Sequence, residues 1–178
     1  MNIKLSEQLV MTPQLQLALR LLETPTDKLD AIIARMREGL VDGDPDPSDD
    51  DTWTYLDDPP FSPPIGDVFV FGNPPQARAN GCAFPRYRGT TEESRWLVRA
   101  LRQRAKSYEK VVGAIVGLRP QISIAMAGEK SEPVTARALA KQIDIHESTI
   151  GRVIRACRWQ NVHGTFGFAM SKRGISIA

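Results

Sequence analysis

Three arginines, Arg152, Arg155 and Arg158, recur at every third residue near the end of a chain of 178 residues. They follow Glu147, Ser148 and Thr149 in a stretch that reads as a helix from about His146 or Glu147 to Ala156. Five of these residues, Glu147, Ser148, Thr149, Arg152 and Arg155, share the outward face of such a helix. The chemistry this set can perform is recognition of nucleic acid. A guanidinium can donate two parallel hydrogen bonds to guanine O6 and N7, a contact that discriminates by roughly 1–3 kcal/mol. Arg152 is the best candidate for that contact. Arg155 and Arg158 are suited to phosphate, which fixes register without reading sequence.

A helix that reads a groove must be held by a second one. Thr135 is a good N-cap for a preceding helix running to about Ile143, and Asp144-Ile145 supplies a short turn. Steep helix crossing through so short a turn needs small or branched apolar residues at fixed positions. Leu139, Ala140, Ile143, Ile145, Ile150 and Val153 occupy them, with Ala140 as the small residue. The turn position that usually holds Gly is Asp144. It requires positive φ, which Asp tolerates better than most residues. The stretch from Val134 to Arg158 therefore reads as a DNA-binding helix-turn-helix.

Charge supports that reading. From Met1 to Pro85 there are 6 Lys/Arg against 14 Asp/Glu, a net of −8, and from Arg86 to Ala178 there are 17 against 7, a net of +10. The basic half has the electrostatic footprint of a nucleic-acid binder, and the acidic half would be repelled by DNA. Other chemistry is poorly represented. Cys82 and Cys157 form no CxxC, His146 and His163 are not at metal-ligand spacing, and two reduced thiols are expected. No nucleophile–base pair, phosphate-cradling Gly loop or metal cluster is evident, so no enzyme activity and no cofactor are expected. Glu7 and Gln8 interrupt any signal pattern, and no apolar run approaches the roughly 18 residues of a membrane span. The expectation is a soluble, cytoplasmic protein with no membrane partner.

The elements upstream read as follows. Thr12-Pro13 starts a helix with Leu15, Ala18, Leu19 and Leu22 on one face. Thr24-Pro25 restarts the pattern, with Leu29, Ile32, Ile33 and Met36 as a second stripe ending near Gly39. Asp42 to Pro64 carries eight Asp and no Lys or Arg, which predicts a disordered tether. Asp67-Val-Phe-Val-Phe71 reads as a short strand. Thr90 and Glu93 fit a capping box for a helix with Trp96, Leu97, Ala100 and Leu101 on its apolar face. Ser107 is read as the cap of a further helix that Pro120 stops. The architecture expected is mainly α: an N-terminal helical hairpin, an acidic disordered linker, and a helical core-binding remnant followed by a helix-turn-helix.

These residues carry a family likeness. Ile145-His-Glu-Ser-Thr-Ile-Gly-Arg-Val153 resembles the recognition-helix signature of the bacterial sigma-54 family of RNA polymerase initiation factors. Gln8-Leu-Val-Met-Thr-Pro-Gln-Leu-Gln16, within Leu5 to Leu22, resembles the Gln- and Leu-rich N-terminal region. Trp96-Leu-Val-Arg-Ala-Leu-Arg-Gln-Arg104 through Val116 resembles the helical part of the core-binding region, and Asp67-Val-Phe-Val70 sits where the family has a similar short motif. The matches are collinear.

The resemblance implies roles and partners. Residues 1–41 would be regulatory and meet an ATP-dependent enhancer-binding activator through Gln8, Met11, Gln14, Leu15, Gln16, Leu19 and Leu22. Residues 42–64 would be the linker. Residues 65–131 would be a shortened region binding core RNA polymerase through Trp96, Arg99, Arg102 and Arg104. Residues 132–178 would hold the helix-turn-helix that reads promoter DNA, with Arg152 in the reading position. The ATP would be hydrolysed by the activator. The family's basic C-terminal box, Ala-Arg-Arg-Thr-Val-Ala-Lys-Tyr-Arg, is expected to be missing because the chain stops at Ala178, and Gly151 stands where Ser is usual. Two other readings stay open: an interaction protein that sequesters activator or polymerase, and a free-standing helix-turn-helix regulator.

Overall fold

The computed structural model describes residues 12–36, 40–42, 66–80, 87–126 and 132–177. The acidic linker beyond Asp42, together with Gln8, Met11 and Cys82, lies outside the described residues. The chain opens with helix α1 (Pro13–Glu23), capped as expected by Thr12, whose Oγ1 accepts from Leu15 N at 3.3 Å. A short 3-10 turn at Thr26–Lys28 leads into α2 (Leu29–Arg35). Strand β1 (Leu40–Asp42) pairs antiparallel with β4 (Tyr87–Gly89).

The longest element is α3 (Glu92–Leu118), 27 residues without a break. Two expectations are corrected here. The cap is Thr91 rather than Thr90, and it exchanges hydrogen bonds with Ser94 rather than Glu93: Ser94 N donates to Thr91 Oγ1 at 3.1 Å and Thr91 N to Ser94 Oγ at 2.9 Å. The register shifts because both residues of the reciprocal pair carry hydroxyls that reach the opposite amide. Ser107 starts no second helix. Its hydroxyl donates to Gln103 O, one turn back, at 2.8 Å, which lets a Ser sit inside a continuous helix.

The mainly helical architecture is also overturned. A mixed four-stranded sheet runs in the order β3-β2-β5-β6, where β2 is Val68–Phe71, β3 Gln76–Ala79, β5 Trp159–Asn161 and β6 Gly164–Phe166. β2 is antiparallel to β3 and parallel to β5, so the strand read at Asp67–Phe71 is present but far from isolated. A second hairpin follows, β7 (Phe168–Ser171) with β8 (Gly174–Ile177). Each strand after Arg158 has only three or four residues, too few to display a period of two.

The core lies where α3, the helix-turn-helix and the sheet meet. Val68, Val70, Tyr108, Val112, Ile115, Leu139, Ile150, Val153, Ile154 and Trp159 are buried in one cluster. Trp159 is fully buried and stacks on Phe166 (centroids 4.7 Å apart) and Phe168 (6.0 Å). A smaller cluster joins Leu21, Leu29 and Ile33 to Leu97 and Leu101 of α3. Burial of one large apolar side chain contributes roughly 1.5–3 kcal/mol, so this second cluster helps hold α1 and α2 against α3.

Candidate nucleic-acid interface

The helix-turn-helix forms at the expected place. α4 (Ala136–Ile143) is capped by Thr135, whose Oγ1 accepts from Ala138 N at 3.2 Å. α5 (Glu147–Ala156) is capped by His146, whose Nδ1 accepts from Ser148 N at 3.1 Å. Between them Asp144 takes φ 51° and ψ 51°, the left-handed conformation its place in the turn demands. Leu139, Ile150 and Val153 are buried, and Ala140, Ile143 and Ile145 pack against them from the margin. The inward face of α5 is therefore fixed by the core, which fixes its outward face too.

On that outward face Glu147, Ser148 and Arg155 are exposed, Thr149 and Arg152 half-buried, and Arg158 is exposed just beyond the helix. Glu147 also suits the positive end of the helix dipole. The structure thus brings the six expected DNA-contacting residues onto one helix and its immediate exit. It adds one relationship that the sequence did not signal. Arg152 Nε donates to Glu23 Oε1, the last residue of α1, at 2.8 Å. Gly151 is buried beside Arg152. A Cβ there would lie 3.6 Å from Arg155 Nη2 and from Met170 Cε, so the site has room for one methyl group.

Below α5 a buried polar cluster ties four elements together. Asp67, at the entry to β2, accepts from Arg158 N at 2.7 Å through Oδ2 and from the Thr26 hydroxyl through Oδ1. Its own amide donates to Arg158 O at 2.6 Å. Arg104 donates to Leu21 O at 2.9 Å, Thr24 O at 2.8 Å and Thr26 Oγ1 at 3.1 Å. It also lies 3.9 Å from Asp67 and 4.2 Å over the Tyr108 ring. The Tyr108 hydroxyl donates to Leu22 O at 2.8 Å. Burial pushes the Asp67 carboxyl up to about 6, against the lowering by the Arg158 amide and the Arg104 charge. Burial likewise pushes up the thiol of Cys157, a free cysteine.

The residues expected to contact polymerase and activator are dispersed differently. Arg99 is exposed and Trp96 half-buried against the smaller cluster, while Arg102 and Arg104 are buried at 7% and 2% exposure. Arg104 is committed internally, and sequence could not reveal it because its acceptors are backbone carbonyls some 80 residues away. On α1, Gln14, Leu15 and Gln16 are exposed, Leu19 is half-buried and Leu22 belongs to the core. Among the described residues no group of His, Cys, Asp and Glu could hold a metal ion, and no helix is long and apolar enough to cross a membrane.

A helix-turn-helix followed by a β-hairpin, carrying outward arginines on its second helix, defines the class of helix-turn-helix DNA-binding proteins. Residues 86–170 match the sigma-54 DNA-binding domain, and residues 1–38 match the activator-interacting domain of sigma-54 factors. The chain belongs to the sigma-54 family. It is similar to the RNA polymerase sigma-54 factor of Bacillus subtilis (strain 168), 32% identical over 75 residues. That match covers 42% of this chain and 17% of the relative.

Proposed function

We propose that the chain is a sigma-54-type transcription initiation factor. It binds promoter DNA through α5 and core RNA polymerase through the surface around Trp96 and Arg99. It answers to an ATP-hydrolysing activator through the exposed face of α1. The observation that carries this reading is the outward set on α5, where Arg152 and Arg155 stand with Arg158 just beyond the helix. The activator contact rests on Gln14, Leu15 and Gln16, where a large apolar side chain stands 45% exposed between two amides. The location this implies is the cytoplasm.

The test is co-purification with core polymerase together with a gel shift on a sigma-54-type promoter duplex. Both interactions are expected, and absence of both overturns the reading. The Glu23–Arg152 pair favours a second reading, in which the chain sequesters activator or polymerase without productive promoter binding. Replacing Arg152 by Ala separates the two: it strips an initiation factor of preference for its promoter and spares the activity of a sequestering protein.

A further inference from the structure

The turn between β7 and β8 consists of Lys172 and Arg173, two adjacent exposed cations lying past residue 170, where the match to the family's DNA-binding domain ends. The turn is built rather than loose. Ser171 Oγ donates to Gly174 O at 3.1 Å and accepts from Arg173 N at 3.2 Å. Gly174 has φ +132°, and a Cβ there would lie 2.7 Å from Val134 O, so only Gly permits the approach. Reciprocal backbone hydrogen bonds of 2.8 Å between Val134 and Ile175 fasten β8 to the segment that enters α4.

The other strand lies along the recognition helix. Phe168 packs on the buried Trp159, and Met170 reaches the α5 backbone at Gly151, beside Arg155. From Met170 outward every residue to Arg173 is exposed. Only Ser171 separates Met170 from the turn, so at about 3.3 Å per residue Lys172 lies roughly 7 Å of chain beyond that contact. A helix with its side chains is about 10–12 Å across and fills a major groove about 12 Å wide. An element packed along the flank of such a helix therefore meets the phosphate walls rather than base edges. Among the described residues no carboxylate is ion-paired with Lys172, Arg173 or Arg155.

We infer that the β7–β8 hairpin is a second DNA-binding element, in which Lys172 and Arg173 grip the phosphates bordering the groove that α5 enters. This rests on the DNA-binding role of α5 proposed above. The hairpin adds affinity and orients the helix, while Arg152 retains the choice of base.

The test is fluorescence anisotropy on the full chain with a labelled promoter duplex over a range of salt. Each phosphate contact contributes about 0.9 to the log–log salt slope. The K172A/R173A double variant is expected to flatten the slope by about 2. Its deficit in affinity then shrinks about tenfold between roughly 50 and 200 mM salt. The charge-retaining K172R/R173K variant is expected to keep the slope, and both variants to melt like the parent. Preference between duplexes that differ at the base read by Arg152 is expected to stay the same. A parent that binds with a slope the double variant shares overturns the inference and turns these cations toward a protein surface. A parent that does not bind DNA overturns the role of α5 as well.

Discussion

Glu23 and Arg152 meet at 2.8 Å across 129 residues of sequence, one ending α1 and the other standing on the outward face of α5. The guanidinium suited to reading a base is thereby engaged by a carboxylate of the activator-interacting region. Both side chains are partly exposed, at 28% for Arg152 and 50% for Glu23. Solvent screening keeps such a pair weak, at about 0.2–1 kcal/mol.

Removal of that carboxylate is expected to free Arg152. The E23Q variant is expected to bind duplex DNA about 1.5- to 5-fold more tightly than the parent, the range that follows from an exposed pair. Anisotropy titration at low salt checks this, and a loss of affinity would show that Glu23 orients Arg152 for DNA instead of competing with it.

The two neighbouring arginines are expected to fail in different ways. R152A should lose discrimination at one guanine by about 1–3 kcal/mol. R155A should weaken all duplexes alike and lower the salt slope by about 1. Competition binding with single-base variants of the site distinguishes these outcomes. Equal loss on every sequence for both variants would remove Arg152 from the reading role.

Arg104 holds α1 to α3. R104A would leave the carbonyls of Leu21 and Thr24 without their donor and remove a charge from beside Asp67. Breaking a buried charged network in this way costs about 3–5 kcal/mol. The expected outcome is a large drop in the denaturation midpoint, with faster tryptic cleavage at Arg20. R104K is expected to fall between the two, since an ammonium lacks the planar fork that spans three acceptors. A midpoint within experimental error of the parent would show that α1 is held by the apolar cluster alone.

Asp67 gives the protein a pH dependence of definite sign. Its carboxyl sits at about 6 in the fold against an ordinary value of 3.8. Between these values the folded chain keeps a proton that the unfolded chain releases. Stability therefore falls as pH rises from about 4 to about 6 and is level beyond. At about 1.4 kcal/mol per unit the full effect is on the order of 3 kcal/mol. Urea titrations across this window should show the parent losing stability relative to D67N. Parallel pH profiles would mean that the Arg158 amide and the Thr26 hydroxyl hold the carboxylate charged.

The helix-turn-helix was legible in the sequence because its constraints are local. A cap at Thr135, a left-handed residue at Asp144 and apolar residues at fixed intervals all fall within 25 residues or so, a span set by two helices and a turn. The start of α1 at Thr12-Pro13 was legible for the same reason. The sheet was not. β2 and β5 are parallel partners in which Val68 and Trp159 stand 91 positions apart, and nothing in either short strand names the other. Asp67 and Arg104 were similarly hidden. One was read as the start of a strand and the other as a contact for polymerase, and only tertiary packing brings Thr26, Asp67, Arg104 and Arg158 together.

The parallel pairing of β2 with β5 also sets how this protein can be divided. A fragment trimmed to residues 86–170 keeps both helices of the reading unit but discards the strand that covers one edge of β5 and the side chain of Asp67 that anchors the exit from α5. It would present bare backbone along Trp159 and Gln160, an invitation to pair with another molecule. The reading unit therefore needs at least the stretch back to Gly66, about twenty residues upstream of where the match to the DNA-binding domain begins.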